Sequence, residues 1–188
     1  NKEERVTGTV TIRDFASKKP NFLFMATRKG VVKRCEAKLF ENLRKTGVTA
    51  INLNEGDVLV GVATTNGECE AIMATKFGKS IRFAETDVRD MGRVAAGVRG
   101  IRLEDKDEVI ALEIATKGDK RTLLTICENG FGKRTDLAEY RDQTRGGGGV
   151  ITIKATERNG AVAGMKLISD EEDLMILTEK GMGVRLRA

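Results

Sequence analysis

The chain has no histidine and no tryptophan, a single tyrosine, a single proline and seven phenylalanines in 188 residues. Without histidine there is no Ser-His-Asp relay and no imidazole to complete a metal cage. Three cysteines, Cys35, Cys69 and Cys127, are an odd number and widely spaced, with no CxxC pair among them. They therefore read as reduced packing residues of a cytosolic protein rather than as zinc ligands or a disulfide framework. No run approaches the ~20 apolar residues of a membrane span. No signal-peptide pattern opens the chain, and its first residue is Asn1 rather than Met, as in an excised fragment. Glycine, by contrast, is abundant at 21 residues, which with so little proline suits many strands and tight turns.

The glycines are periodic. Ala26-Thr27-Arg28-Lys29-Gly30-Val31-Val32-Lys33-Arg34 returns as Ala74 to Arg82, Ile126 to Arg134 and Leu177 to Arg185, with Gly30, Gly78, Gly130 and Gly181 spaced 48, 52 and 51 apart. Each copy is an apolar run, a glycine turn and an arginine four residues later. Gly47, Gly97 and Gly147 precede Ile51-Asn52-Leu53, Ile101-Arg102-Leu103 and Ile151-Thr152-Ile153. A third element, Leu59 to Val62, is echoed at Val109 to Leu112 and Val162 to Met165, with Val6-Thr7-Gly8-Thr9 as an isolated copy. The second full repeat predicts strands at 70–75, 79–84, 98–103 and 108–115, and the stretches Glu36–Glu41 and Glu85–Asp90 predict one helical turn each. A period near 50 with four strands predicts an all-β, propeller-like array. Its expected blades are 1–21 (partial), 22–70, 71–121, 122–172 and 173–188 (partial), within one incomplete domain spanning 1–188.

Net charge is only +5, but it is segregated. Residues 28–53, 76–103 and 128–154 carry +5, +4 and +1, whereas 54–75, 104–127 and 155–179 carry −4, −2 and −4. In a radial array, equivalent positions share a surface, so this split predicts a basic stripe crossing the blades that suits a DNA duplex. The alternative is an ordinary solvated face. Loop cations are the best placed for phosphate: Arg44, Lys45, Arg93, Arg99, Arg141 and Arg145. The series Arg34, Arg82, Arg134 and Arg185 admits two readings, one phosphate contact per blade or a carboxylate partner within the sheet.

One stretch is distinctive. Tyr140-Arg141-Asp142-Gln143-Thr144-Arg145-Gly146-Gly147-Gly148-Gly149 resembles the glycine-rich box of the C-terminal DNA-wrapping domains of bacterial gyrase A subunits, which reads Gln, basic, Arg, Gly, Gly, basic, Gly. Gln143, Arg145, Gly146, Gly147 and Gly149 match, while Thr144 and Gly148 replace the two basic positions. Ala84 to Arg93, Ala96 to Ile101 and Asn129 to Thr135 resemble the same family. The resemblance implies a six-bladed β-pinwheel, of which this chain is a fragment, wrapping double-stranded DNA around a basic rim. It implies a cytoplasmic, nucleoid-associated setting with no membrane contact. The implied protein partners are the remainder of the gyrase A polypeptide, together with gyrase B, in an A2B2 complex. The domain would have no cofactor of its own, ATP and Mg²⁺ being used elsewhere in the holoenzyme. The family's defining box belongs to a first blade, which would precede Asn1.

Four clustered glycines also have their own physical reading, since backbone N–H groups can approach a phosphate closely with Arg145 beside them. No Gly-Lys-Ser/Thr follows, so this is not a nucleotide P-loop. Two further readings stay open: the related C-terminal domain of topoisomerase IV, and a propeller that docks proteins rather than DNA.

Overall fold

The same three-residue loop, closed by a glycine, turns the chain four times. In the first copy Gly30 donates its N–H to Thr27 O at 3.0 Å, and the Thr27 hydroxyl accepts from Val31 N at 3.1 Å. Gly78, Gly130 and Gly181 repeat the backbone bond. A left-handed residue closing a three-residue loop is a favoured hairpin connection. The resulting hairpins are β1 (Phe22–Thr27) with β2 (Val31–Glu36), β4 (Cys69–Thr75) with β5 (Lys79–Ala84), β8 (Thr122–Cys127) with β9 (Gly132–Asp136), and β12 (Asp173–Leu177) with β13 (Gly183–Arg187). The computed structural model describes residues 5–12, 15, 21–42 and 45–188.

Each of the first three hairpins gains an edge strand: β3 (Leu59–Thr65) on β1, β7 (Val109–Thr116) on β4 and β11 (Val162–Ile168) on β8, all antiparallel. Strand β7 packs against both β3 and β11, so these edges converge from sheet to sheet as inner propeller strands do. Short 3₁₀ turns at Ala37–Phe40 and Glu85–Asp87 fall where the sequence predicts helical turns, and a third lies at Leu137–Glu139. Residues 6–9 form no strand, but Val10 and Ile12 pack on the first sheet.

The fourth strand corrects the expectation that each repeat closes its own sheet. The segment expected at 98–103 is strand only at β6 (Val98–Arg99). It joins the preceding sheet, pairing with β2 in the order β3-β1-β2-β6. Likewise β10 (Val150–Ile151) leaves the third repeat and pairs with β5, in the order β10-β5-β4-β7. Gly30 O accepts N–H bonds from Gly100 and Ile101, and Gly78 O accepts from Thr152 and Ile153. The glycine register also shifts. Gly149, not Gly147, is the counterpart of Gly97: both have positive φ (71° and 100°), and both precede the donated strand directly. At Gly149 a Cβ would lie 2.6 Å from Ser80 O, so the backbones meet too closely for a side chain.

Stacking explains why the central strands read as continuous apolar runs. Ala71 and Met73 face Phe24, Ala26 and Val32 of the first sheet, while Ile72 and Ala74 face Leu123, Met165 and Leu167 of the third. A strand between two sheets has no solvent face. Phe24 and Phe83 anchor the first interface, their ring centroids 6.3 Å apart, and each such burial stabilises by about 1.5–3 kcal/mol.

One residue is out of place. Lys106, at φ 60°, is the only non-glycine with positive φ among the described residues, and the preceding repeat has Gly56 there at φ 65°. The left-handed region costs a side-chain-bearing residue ~1–2 kcal/mol, and glycine's extra unfolded-state entropy offsets part of that. Lys106→Gly is expected to raise stability by about 0.5–1 kcal/mol, read as a higher urea midpoint at unchanged m. An unchanged or lower midpoint would show that this turn is unstrained.

Candidate nucleic-acid interface

The donated strands lie at the sheet edges opposite the converging ones, and the loops that lead into and out of them are joined from repeat to repeat. Asn52 N donates to Ala95 O at 3.3 Å, and one repeat later Arg102 N donates to Gly147 O at 2.8 Å. Gly146 N donates to Gly100 O at 2.6 Å, and Gln143 N to Arg82 O at 3.1 Å. The outer edge is thus a layer of overlapping loops. Side chains on it are held by backbone bonds on both sides, which lowers the cost of ordering them against a ligand.

Most of the expected cations ride on this layer. Lys45, Arg99 and Arg141 are exposed, and Arg93 is half-exposed. Arg44 lies outside the described residues. Sequence reasoning missed Arg89 and Arg102, both exposed. Alternation could have found Arg102, since its neighbour Ile101 is buried. Among the described residues, no carboxylate is within ion-pair distance of Lys45, Arg89, Arg93, Arg99, Arg102 or Arg141. Elsewhere the basic half-repeats are partly neutralised by the acidic ones: Lys79 pairs with Glu104, while Arg28 and Lys76 pair with Glu108. The stripe is therefore narrower than the charge counts imply, and it concentrates on the loops.

The glycine-rich stretch behaves differently from a free phosphate cradle. The Gly146 N–H already binds Gly100 O. Arg145 is half-buried and donates Nε to Asp87 O at 2.8 Å and Nη1 to Arg99 O at 3.1 Å. Its backbone N–H points to Asp87 Oδ2 at 3.3 Å. Arg145 thus locks the third repeat's loop onto the second. Around it the glycines leave room for two other arginines: a Cβ at Gly146 would lie 4.0 Å from Arg99 Cδ, and one at Gly148 would lie 3.7 Å from Arg102 Nη2. Arg99, Arg102 and Arg145 therefore share one patch, a concentration of positive charge over a surface without side chains.

The arginines of the hairpins each have a carboxylate. Arg34 is 8% exposed, donates Nε to Asp90 Oδ1 at 2.7 Å and stacks 4.7 Å from the Phe22 ring centroid. Arg82 grips Glu70 and reaches the carbonyls of Leu137 and Tyr140. Arg134 pairs with Asp170, and Arg185 with Asp173. Of the two open readings, this favours the carboxylate partner, most firmly for Arg34 and Arg82. Asp90 and the two carbonyls belong to the following repeat, so these arginines tie neighbouring sheets.

The cysteine thiols and the tyrosine side chain are withdrawn. Cys35, Cys69 and Cys127 are buried, and burial pushes all three thiols up. Tyr140 is 4% exposed and burial raises its pKa, with Thr152 and Thr135 beside its hydroxyl. Among the described residues no three His, Cys, Asp or Glu side chains form a metal-binding group. No described helix is long and apolar enough to cross a membrane.

Comparison with known proteins meets this geometry. The family model described as the DNA gyrase C-terminal domain, beta-propeller, matches residues 21–66, 70–116, 121–169 and 172–188. The chain is 45% identical over 184 residues to the DNA gyrase A protein of Klebsiella oxytoca, and 39% identical to that of Staphylococcus epidermidis. Each alignment covers 98% of this chain and 20% of the relative, so the chain spans about a fifth of the length of the curated relatives it matches. Among solved structures, a DNA topoisomerase IV C-terminal domain superposes with TM-score 0.91 at 26% identity, covering all of this chain and 58% of that one. A DNA gyrase A C-terminal domain superposes with TM-score 0.78 at 25% identity, covering 89% of this chain and 56% of that one.

Proposed function

The chain belongs to the family of DNA gyrase C-terminal β-propeller domains, and from that premise we propose that it binds duplex DNA along its outer loop layer and bends it there. The observation that carries this reading is a set of cations with no carboxylate partner among the described residues, Lys45, Arg89, Arg93, Arg99, Arg102 and Arg141, most of them on loops already held by backbone bonds. Phosphate contacts give affinity without reading sequence, so the binding is sequence-indifferent. The rest of the box, Gln143 and Gly146 to Gly149, shapes the patch beneath Arg99 and Arg102.

Within the whole enzyme, the proposed role is non-catalytic: the domain wraps a DNA segment for strand passage during negative supercoiling. It would do so as part of a gyrase A polypeptide joined with gyrase B in an A2B2 assembly, in the cytoplasm. It needs no cofactor of its own, ATP and Mg²⁺ serving other parts. Bending is costly: at a radius of about 30 Å a smooth curve takes on the order of 5 kcal/mol per helical turn. A row of contacts across successive repeats is what could offset it. Topoisomerase IV remains the second reading, on the strength of the close superposition with its C-terminal domain, although the sequence relatives described above are gyrase A proteins.

The test is a fluorescence-anisotropy salt series with a mixed-sequence duplex. Each phosphate neutralised steepens the fall of log K with log salt by about 0.9, so the six cations together predict a slope of roughly −5. A slope near zero would remove DNA as the ligand and favour a protein-docking role.

A further inference from the structure

Lys33 has no solvent exposure at all. It lies in β2 opposite Met25, and its ammonium donates to Ala50 O at 2.6 Å and to Arg93 O. Among the described residues no carboxylate is within ion-pair distance of it. An ammonium buried against two neutral carbonyls is an expensive arrangement, and burial accordingly lowers the Lys33 pKa, with Cys35 opposing that shift. The fold itself does not demand it. Ile81 occupies the same position in the second repeat, fully buried among apolar side chains, so an apolar residue suits this strand position.

What distinguishes Lys33 is where its acceptors lie. Ala50 and Arg93 belong to the outer loops of successive repeats, and between those loops opens a groove of about 460 Å³, walled by Thr46 to Thr49 on one side and by Arg93 and Val94 on the other. The ammonium ties the two walls together. We propose that Lys33 is a positioning residue for DNA: it fixes the spacing of this groove and adds positive potential to it, so that the groove seats a backbone phosphate of the duplex beside Arg93. The inference rests on the outer loops being the duplex-binding surface. Lys33 touches no phosphate itself. Its charge acts through a medium of low dielectric, where it is felt further than a solvated lysine, and its hydrogen bonds hold Arg93 and the 46–49 turn in register.

The test uses two variants of the protein, Lys33→Ile, the residue found one repeat later, and Lys33→Met. Three measurements are made on each: thermal unfolding, amide exchange by mass spectrometry, and duplex affinity across a salt series. The expected result is a melting temperature at or near that of the parent, faster exchange in 46–52 and 92–97, and affinity roughly tenfold weaker at 0.1 M salt. The salt slope should shrink by about 1, one phosphate contact's worth. Unchanged loop exchange, or unchanged affinity and slope in a folded variant, overturns the inference while leaving the DNA-binding surface intact. Failure of both variants to fold also overturns it, because Lys33 would then be part of the scaffold. If the parent protein shows no salt-dependent binding, the DNA reading itself falls, whatever the loops do.

Discussion

Gly78→Ala is expected to destabilise the fold by more than about 3 kcal/mol and to release the third repeat's strand from the second sheet. Gly78 has φ +88°, and a Cβ there would sit 2.0 Å from Ile153 O, a backbone atom. That oxygen cannot move away cheaply, because the Ile153 N–H is bonded to Gly78 O, as is the Thr152 N–H. Left-handed strain alone costs ~1–2 kcal/mol, and displacing the strand forfeits its hydrogen bonds and exposes the side chains beneath. The other hairpin turns supply internal controls. At Gly30 the nearest backbone atom to a Cβ is 3.0 Å away, and at Gly130 nothing lies within 4 Å. Alanine should therefore cost least at Gly130, more at Gly30 and most at Gly78, as read from denaturation midpoints. Amide exchange should show Thr152 and Ile153 unprotected in Gly78→Ala. Equal losses at the three positions would mean that φ strain, not strand capture, sets the penalty.

Strand donation is also where sequence reasoning stops. The hairpins are legible because a glycine turn between apolar runs is a local signal, and local hydrogen bonds satisfy it. Which sheet Val98–Arg99 joins is not local: two residues carry no periodicity, and the same backbone groups would pair equally well within their own repeat. The run Gly146–Gly149 hides the register for a related reason. Four glycines offer several frames, and only the approach of Gly149 to Ser80 O selects one.

Charge is legible at the level of half-repeats and misleading residue by residue. By its place in a glycine loop Arg145 should face phosphate, yet its guanidinium is committed to Asp87 O and Arg99 O. Arg102 is legible by its alternation with buried Ile101, and it is exposed with no carboxylate partner among the described residues. Lys33 gives no signal, because a lysine in an apolar run reads as a solvent-facing alternate until the loops that cover it are known. For Arg145 and Lys33 the deciding partner lies in another repeat or loop, some 17 to 60 positions away in the chain.

The hairpin arginines give the second large effect. Arg82→Ala is expected to destabilise by about 2–4 kcal/mol, because it leaves Glu70 without its counter-charge in a site where both side chains are under one-fifth exposed. It also removes the donor from Leu137 O and Tyr140 O, which cap the next repeat's 3₁₀ turn against this sheet. Arg82→Lys should recover only part of the loss, since an ammonium cannot replace the Nε and Nη2 bonds to Glu70 Oε2 while also reaching two carbonyls. Arg185, whose pair with Asp173 is largely exposed, should tolerate alanine with little change, as surface ion pairs generally do. Arg99→Ala is the opposite case. Its side chain is exposed with no carboxylate partner among the described residues, so stability should stay within about 0.5 kcal/mol of the parent, while duplex affinity at 0.1 M salt drops nearly tenfold with a salt slope smaller by about 0.9. Paired urea denaturation and anisotropy on Arg82→Ala and Arg99→Ala separate scaffold from interface. Loss of affinity without loss of stability at Arg82, or the reverse at Arg99, would exchange their roles and move the duplex from the outer loops onto the hairpin strands.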